Sequence, residues 1–536
     1  MRSRFGGWAA LLFGVALLGL PNRLVAAEII EADVCICGGT AAGVAAAVEV
    51  RRLGRTAVIT EFGTHLGGMT SGGLSQTDIG NKDAIGGIAR EFYVRMGRHY
   101  GRPEQWTLEP SVAESVFFDW VNENGVPVYF RQRLAGVKTT GRRITEVTME
   151  SGKVFRAKMF LDATYEGDLL AAAGVAFTVG REPNTQYDET LNGVRAQTPK
   201  HQFLAAVDTY RNPGDSASGL LPFVQADDGS APGAGDQLIQ AYNFRLCLTR
   251  DPVNRRAIQP PAKYNPADYE LLARYIEALV AAGKPPKLGE LMHIQPMPNG
   301  KTDINNNGGF STDFLGGNLR YPLLNYRERE AVWRAHEDYT RGFLHFLATS
   351  PRLPESLRRE MQSWGLAKDE FRDTDGWPHQ LYIREARRMV SDYVMTEANC
   401  RGKLVAEDAI GLAAYTMDSH NCRRIARGGK AENEGDVQVG GFPPYPIAYR
   451  SLVPRAGECE NLVVPICLSA THIAYGSIRM EPVFMVLGQS AAAAACQAIA
   501  SGQSVQKIDV AKLRQQLLAE HQVLAWQPKP AAAPGR

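Results

Sequence analysis

A short stretch near the N-terminus constrains the fold more than any other part of the chain. It reads "GGTAAGVAAAVEVRRLGRTAVITE", from Gly38 to Glu61, and it follows the apolar run "ADVCIC". An apolar run, a glycine-rich turn, an alanine- and valine-rich segment and a second apolar run predict strand, tight turn, helix and strand. The turn departs from the G-x-G-x-x-G pattern because Thr40 replaces its second glycine. The stretch therefore predicts the first βαβ unit of an α/β domain.

This turn also predicts a dinucleotide site, since backbone N–H groups and the helix dipole at such a helix start stabilise a pyrophosphate. We assign these contacts to the six residues of the turn: Gly38, Gly39, Thr40, Ala41, Ala42 and Gly43. The Thr40 hydroxyl can itself donate a hydrogen bond. Glu61, at the end of the second strand, is placed to accept a hydrogen bond from a ribose hydroxyl. The alternative is a junction of small residues between helix and sheet that binds no ligand.

The region that follows distinguishes FAD from NAD. Residues 126–164 read as several short strands with turns at Gly141 and Gly152, whereas an NAD domain would continue with alternating strands and helices. A β-meander that returns to a parallel strand, "KMFLDAT", is the layout of glutathione-reductase-like FAD domains. The sequence therefore predicts an α/β Rossmann domain of this type, built from a parallel sheet and a β-meander, with FAD as the cofactor.

Eight segments, in matching order along almost the whole mature chain, resemble the FAD-dependent oxidoreductases that are grouped with the FAD proteins of heterodisulfide reductase. They are "GGTAAGVAAAVEVRRLG", "HLGGMTSGGLSQTD", "EPSVAESVFFDWV", "LDATYEGDLLAAAGV", "YNFRLCLTRDPVNR", "PNGKTDINNNGGFSTDFLG", "GWPHQLYIREARRMVSDYVMTE" and "IAYRSLVPRAGECENLVVPICLSATHIAYGSIRMEPVFMVLGQSAAAAACQAIASG". The resemblance implies FAD binding and redox chemistry, without a particular substrate. The heterodisulfide reductase relatives carry iron–sulfur clusters, but the eight cysteines of this chain include no C-x-x-C pair. We therefore expect no cluster and no metal site.

Further cofactor contacts are assigned outside the turn. The glycine-rich segment after Glu61 suits close approach to a ligand because no side chain intrudes, although a surface loop has the same composition. A helix is predicted to start near Pro482 and to end at Gly502, and the resemblance implies that its N-terminus points at the flavin. The residues assigned to the cofactor in these regions are Gly67, Gly68, Met69, Ala163, Thr164, Ile478, Arg479 and Met480.

Three side chains are candidates for catalysis: His472, His379 and Arg384. His472 lies six residues before the flavin-contacting turn, so it is predicted to take the substrate proton while the flavin takes the hydride. The alternative is a histidine that fixes its loop by bonding to a carbonyl. His379 precedes a predicted amphipathic helix with three arginines at helical spacing, Arg384, Arg387 and Arg388. Arg384 could bind the FAD pyrophosphate or an anionic substrate, or it could belong to a salt-bridged surface.

A polar run at residues 299–313, "NGKTDINNNGGFSTD", is predicted to form a loop. Its clustered amides could recognise the hydroxyls of a sugar-like substrate. Turn formation alone also selects asparagine and glycine, so this run is compatible with a purely structural loop.

The chain divides into four regions after its N-terminal segment. Residues 28–180 and 380–522 are predicted to be two parts of the FAD domain, residues 181–379 an inserted α+β substrate domain, and residues 523–536 a disordered tail.

The first 27 residues are predicted to be a signal peptide, because arginines precede a short apolar run and a small-residue cleavage site ends at Ala27. The alternative is an uncleaved membrane anchor, although the run is shorter than the ~20 residues that span a bilayer. Cleavage would remove three arginines and change the formal net charge from +2 to −1, which gives no reason to expect a nucleic-acid partner. We expect export to the periplasm or the medium.

The sequence thus predicts an exported FAD enzyme that oxidises a C–OH or C–N bond of a small or carbohydrate-like molecule. A flavin monooxygenase supplied with electrons by NAD(P)H is one alternative, weakened because no second dinucleotide motif is visible. A protein that binds FAD without catalysis is the other alternative.

Overall fold

The computed structural model describes residues 28–195, 198 and 200–527, so the predicted signal peptide and residues 528–536 of the predicted tail lie outside the described residues. The α-helices of the described part are α1 (Ala41–Arg52), α2 (Gly87–His99), α3 (Pro110–Glu123), α4 (Asp168–Ala172), α5 (Glu270–Ala281), α6 (Tyr326–Thr349), α7 (Glu355–Gln362), α8 (Glu397–Cys400), α9 (His472–Ile478), α10 (Glu481–Ser501) and α11 (Val510–Ala519).

The strands in the first half of the described chain are β1 (Ile29–Cys37), β2 (Ala57–Thr60), β3 (Val128–Tyr129), β4 (Leu134–Thr140), β5 (Arg143–Met149), β6 (Val154–Asp162), β7 (Phe177–Thr178), β8 (Gln225–Ala226), β9 (Leu246–Thr249) and β10 (Arg255–Arg256). The later strands are β11 (Met292–Pro296), β12 (Lys301–Asn306), β13 (Gly365–Ala367), β14 (Arg388–Met389), β15 (Ala409–Ala413), β16 (Met417–Ser419), β17 (Arg423–Arg427), β18 (Lys430–Glu434), β19 (Val437–Val439), β20 (Tyr445–Ala448) and β21 (Leu462–Val463).

The central sheet has seven strands in the order β3-β2-β1-β6-β5-β4, with β21 paired to β6. Strand β1 runs parallel to both β2 and β6, whereas β5 runs antiparallel to β4 and β6. Val34 to Ile36 and all four residues of β2 are buried, as expected for parallel strands covered on both faces. The described part therefore contains a Rossmann-like parallel sheet extended by an antiparallel meander.

Helices α1 and α10 pack closely against each other beside this sheet. A Cβ on Gly488 of α10 would lie 2.3 Å from the carbonyl oxygen of Ala42, so glycine permits the close approach. The predicted bounds of α10 are confirmed, and Gly502 ends the helix with φ of 66°. Among the described residues, α10 alone is long and apolar enough to span a membrane, but it is mostly buried inside the protein.

Residues 181–379 contribute a second sheet, in the order β10-β13-β9-β12-β11, together with helices that include α5. Two local predictions are wrong. The first half of the predicted polar loop forms β12, which pairs with β9 and β11. The predicted helix after His379 is absent, because residues 380–387 lie outside regular helices and Arg388–Met389 form β14, paired with β7.

Candidate active site

The turn after β1 presents backbone at the start of α1. Thr40 is the N-cap of α1, since its hydroxyl oxygen accepts a hydrogen bond from Gly43 N at 3.2 Å. The same hydroxyl donates to the carbonyl oxygen of Ala163 at 2.8 Å, which ties the turn to the end of β6. A glycine could make neither bond, so the threonine stabilises the turn. The first N–H groups of a helix have no acceptor within it and favour anions, so the start of α1 suits the predicted pyrophosphate.

Glu61 lies directly against this turn. Its carboxylate accepts hydrogen bonds from Gly39 N at 2.7 Å and from Gly63 N at 2.6 Å. Burial raises the pKa of the Glu61 carboxyl to about 7, although both backbone hydrogen bonds oppose the rise. The acidic group predicted to bind the ribose is therefore beside the predicted pyrophosphate turn.

Three segments distant in sequence meet at the start of α10. The Tyr165 hydroxyl donates to Glu481 Oε1 at 2.9 Å and accepts from Met69 N at 2.9 Å. The Thr70 hydroxyl donates to Glu481 Oε2 at 2.6 Å. A Cβ on Gly68 would lie 2.3 Å from the Tyr165 hydroxyl, so glycine is needed for this approach. The glycine-rich segment, the end of β6 and the start of α10 thus form one wall.

The C-terminal cofactor residues lie in the link between α9 and α10. Ile478 is the last residue of α9, and Met480 is the N-cap of α10. Between them, Arg479 is only 3% exposed, and its Nη2 donates a hydrogen bond to Asp418 Oδ2 at 3.3 Å. The backbone predicted to approach the flavin is therefore continuous with the wall at the start of α10.

Two joined cavities, which we call the groove, begin at the turn. The smaller is lined by residues assigned to the cofactor and by their neighbours, including Gly38, Thr40, Glu61, Gly68, Thr164 and Gln380. The larger, of about 470 Å³, adds an aromatic lining of Phe62, Phe244, Tyr321, Tyr326, Trp333 and Trp377. A turn rich in N–H donors that opens into an aromatic cavity fits the phosphates and the apolar rings of FAD.

An ion-pair network closes one side of the groove. Asp168, the first residue of α4, bonds to Arg329 at 2.7 Å and to Arg387 at 2.8 Å. Burial opposes ionisation of Asp168, but these arginines lower its pKa overall. Burial raises the pKa of Glu166, which accepts a hydrogen bond from the Tyr321 hydroxyl at 2.9 Å. These acids therefore join the FAD domain to residues 321–329 and to the segment after His379.

His379 lies at the groove, whereas Arg384 is buried beside Asp313. His379 lines the groove and stacks on His65, with ring centroids 3.6 Å apart, and burial holds its pKa well below the ordinary value. Arg384 is 1% exposed, binds the Ala241 carbonyl and lies 2.9 Å from Asp313 Oδ1. The helix predicted here is absent because its arginines pair with buried groups from other segments instead of sharing one helix face.

His472 starts α9 and is 1% exposed. Its Nδ1 lies 2.8 Å from Glu385 Oε2, and its Nε2 lies 2.9 Å from the Ser419 hydroxyl. The ring therefore contacts a carboxylate and a hydroxyl, neither of which is the backbone carbonyl considered as an alternative. Its role as a proton acceptor stays a prediction.

A cluster of buried charged side chains, which we call the polar chamber, adjoins the glycine-rich segment. It comprises Arg245, Asp303, Asp313, Tyr382, Arg384, Asp418, His420 and Arg479, each no more than 7% exposed. Ser75 N donates to Asp303 Oδ2 at 3.1 Å, which links the chamber to that segment. Arg384, Arg479 and the polar run that contains Asp303 and Asp313 were candidates in the sequence. Arg245, Tyr382, Asp418 and His420 were not, because they come from separate segments and share no motif.

Histidine and aspartate side chains meet inside the polar chamber. His420 Nδ1 lies 2.9 Å from Asp313 Oδ2, and His420 Nε2 lies 3.8 Å from Asp418 Oδ2. Burial raises the pKa of Asp418 to about 6, and burial followed by the Arg384 charge holds the pKa of His420 well below its ordinary value. The chamber therefore combines a neutral imidazole with carboxylates, groups that can hold or move a proton.

Comparison with known proteins gives one extended match and several partial ones. Residues 33–517 match the family model described as FAD dependent oxidoreductase, whereas no curated protein matches the chain. The OxyS anhydrotetracycline hydroxylase from Streptomyces rimosus aligns at 14% identity, over 34% of this chain and 38% of that one, with a TM-score of 0.21. The L-amino acid deaminase from Proteus vulgaris, with its specific insertion sequence deleted, aligns at 15% identity, over 25% and 54%, with a TM-score of 0.21.

THI4 from Thermovibrio ammonificans aligns at 20% identity, over 28% of this chain and 66% of that one, with a TM-score of 0.22. The chain thus spans between 38% and 66% of the length of these three structures. The family match is far more extensive, since it runs from β1 to α11 and includes the turn, the glycine-rich segment and the start of α10. The chain therefore belongs to the FAD-dependent oxidoreductase family and is an enzyme that uses FAD as its cofactor.

Proposed function

We propose that this enzyme removes a hydride from a C–OH or C–N bond of a small molecule. The observation that carries the proposal is the contact between Tyr165 and Glu481 at 2.9 Å, which joins the nucleotide turn's side of the groove to the start of α10. The turn before α1 and the start of α10 lie at opposite ends of this wall, an arrangement that suits the extended shape of FAD. The polar chamber beside this wall supplies buried groups that can bind a polar substrate and exchange its proton.

FAD, when bound, supplies the acceptor for the two electrons that leave the substrate as a hydride. The N–H groups at the start of α1 would hold its pyrophosphate, and Glu61 would accept a hydrogen bond from its ribose. The remaining requirement is the substrate proton, for which His472 is the proposed acceptor. Glu385 orients the imidazole through Nδ1, whereas Ser419 connects Nε2 to β16, the strand that also carries Asp418 of the polar chamber.

The proposal also covers the role of residues 181–379, the type of the first domain and the grouping within the family. Residues 181–379 cover the substrate, which is small and could be carbohydrate-like. The classification of the first domain as glutathione-reductase-like is supported by the meander of β4, β5 and β6. The grouping with the FAD proteins of heterodisulfide reductase rests on the order of the eight sequence segments.

The function is tested by purifying the protein and recording its visible absorbance. We expect the spectrum of oxidised flavin, and we expect it to bleach under anaerobic conditions when a small alcohol, amine or sugar is added without a nicotinamide. Bleaching that occurs only with NADPH would indicate a monooxygenase instead. A colourless protein that cannot be reconstituted with FAD would contradict catalysis by this route.

We also propose that the enzyme is exported and cleaved after Ala27. The support is the pattern of arginines, apolar residues and small residues in the first 27 positions. The intact mass of the protein recovered from the periplasm or medium tests this proposal. A mass that includes residues 1–27 would contradict cleavage, and recovery from the membrane fraction would favour the uncleaved anchor.

A further inference from the structure

Three guanidinium groups surround one tyrosine in the polar chamber. The Cζ atoms of Arg384 and Arg245 lie 4.6 and 5.3 Å from the centroid of the Tyr382 ring, and Arg479 Nη1 lies 3.3 Å from the Tyr382 hydroxyl. Arg245 is satisfied by a two-point contact with Asp303, at 2.8 and 2.7 Å. Asp313 and Asp418 in turn lie beside Arg384 and Arg479, so each of the three arginines has one aspartate partner.

The other two arginines retain unused donors. Arg384 approaches Asp313 through a terminal nitrogen at 2.9 Å, and Arg479 approaches Asp418 in the same way at 3.3 Å. The Nε–H groups of both arginines are buried and have no hydrogen-bond partner among the described residues, although the side chains are only 0% and 2% exposed. A buried charged donor without an acceptor is unfavourable, so these groups suit a ligand that accepts hydrogen bonds.

We infer that the polar chamber binds the carboxylate of the substrate through Arg384 and Arg479, so that the substrate class is a small acid with a C–OH or C–N group. This inference rests on the proposed function. A planar, charged acceptor matches the planar donor set of a guanidinium, and its hydrogen bonds to these free Nε–H groups are roughly twice as strong as those of a neutral acceptor. An uncharged polyol would offer the same donors only the weaker hydrogen bonds of a neutral acceptor.

The position of the chamber agrees with this assignment. A Cβ on Gly72 would lie 2.3 Å from Gln380 Cβ, and one on Gly73 would lie 2.2 Å from the Arg245 carbonyl oxygen. Gln380 lines the groove, whereas residues 382–384 contribute to the chamber. The glycine-rich segment assigned to the cofactor therefore contacts both, and a carboxylate bound in the chamber would place the rest of a small acid next to this segment.

The test compares charged ligands with uncharged ligands of the same shape. Calorimetric titration of the full-length protein uses acetate and benzoate against acetamide and benzamide. We expect at least one carboxylate to bind tenfold or more tightly than its amide. This preference should be lost in Arg384→Gln and Arg479→Gln but retained in Arg424→Gln, because Arg424 is an equally buried arginine that bonds to Asn433 and the Gly309 carbonyl, outside the chamber.

Each outcome decides the inference. If the wild-type protein binds carboxylates and amides equally, or binds neither, the inference is wrong, and a preference that is also lost in Arg424→Gln would refute the assignment to the chamber. If the glutamine variants do not fold, Arg384→Lys and Arg479→Lys provide the comparison, with at least tenfold weaker carboxylate binding expected because a lysine lacks the Nε–H. Flavin bleaching by an uncharged alcohol without any carboxylate preference would keep the proposed function and reject this inference. A colourless protein that prefers carboxylates would support this inference and contradict the proposed function.

Discussion

Replacing Gly43 with alanine should displace α1 from the turn that precedes it. An ideal Cβ at this position would lie 2.0 Å from the carbonyl oxygen of Gly38, a backbone atom that cannot rotate away. Overpacking costs about 1–3 kcal/mol, and the fixed obstacle favours the upper end of that range. The higher helix propensity of alanine offsets about 1 kcal/mol. We therefore expect the free energy of unfolding to fall by about 2 kcal/mol.

The same substitution should weaken FAD binding. The N–H groups at the start of α1 are held in place by the Gly38–Gly43 approach on one side and by α10 on the other. Since a Cβ on Gly488 would already lie 2.3 Å from the Ala42 carbonyl oxygen, α1 has no room to move toward α10. The displaced helix must therefore move its first turn relative to β1.

Urea unfolding and the FAD content after gel filtration measure both effects. Gly136→Ala is the matched control, because no atom lies within 4 Å of the added Cβ and its backbone is not left-handed. The control should change the free energy of unfolding by less than about 0.5 kcal/mol and keep its FAD. If Gly43→Ala has the stability and FAD content of the wild type, the turn does not depend on this close approach.

Three further substitutions test a buried acid of α1, the wall at the start of α10 and the proposed proton acceptor. Glu49→Gln should raise the free energy of unfolding at pH 8 by about 1–3 kcal/mol and leave it unchanged at pH 4. Burial, followed by the Glu520 charge, raises the pKa of the Glu49 carboxyl from 4.5 to about 9. The protein therefore loses stability as the pH rises from 4.5 toward 9, and the uncharged glutamine avoids this loss. Urea unfolding at both pH values measures the effect, and an equal gain at both would contradict the reasoning. Tyr165→Phe removes the acceptor for Met69 N and should cost about 1–3 kcal/mol in the same assay, whereas a change near zero would show that the contact is dispensable. His472→Ala should keep its FAD but slow anaerobic flavin reduction about 10²- to 10⁴-fold, and an unchanged stopped-flow rate would exclude His472 from proton transfer.

Local signals predicted several elements correctly. The run from β1 through α1 to β2 follows from apolar periodicity and a glycine turn, and these features depend on neighbours within a few residues. The bounds of α10 were predictable for the same reason, because a proline near the start and Gly502 after the end are local start and stop signals.

The predictions that failed depend on distant partners. Arginines at positions 384 and 388 fit one face of a helix, but Arg388 binds Glu182 and Arg384 approaches Asp313, both of which lie in other segments. The polar run at residues 299–313 has turn-forming composition, yet its first half pairs with β9 and β11 as β12. Tertiary pairing outweighs local propensity when charged groups must be buried with partners.

The sequence by itself determined the nucleotide turn, its flanking strand and helix, and the family resemblance that implies FAD. Only the tertiary structure decided that Glu481 meets Tyr165, 316 positions away, and that Arg245, Arg384 and Arg479 converge on Tyr382. The physical reason is that helix and turn formation depend on neighbouring residues, whereas the burial of a charge depends on whichever opposite charge or acceptor the whole fold brings beside it.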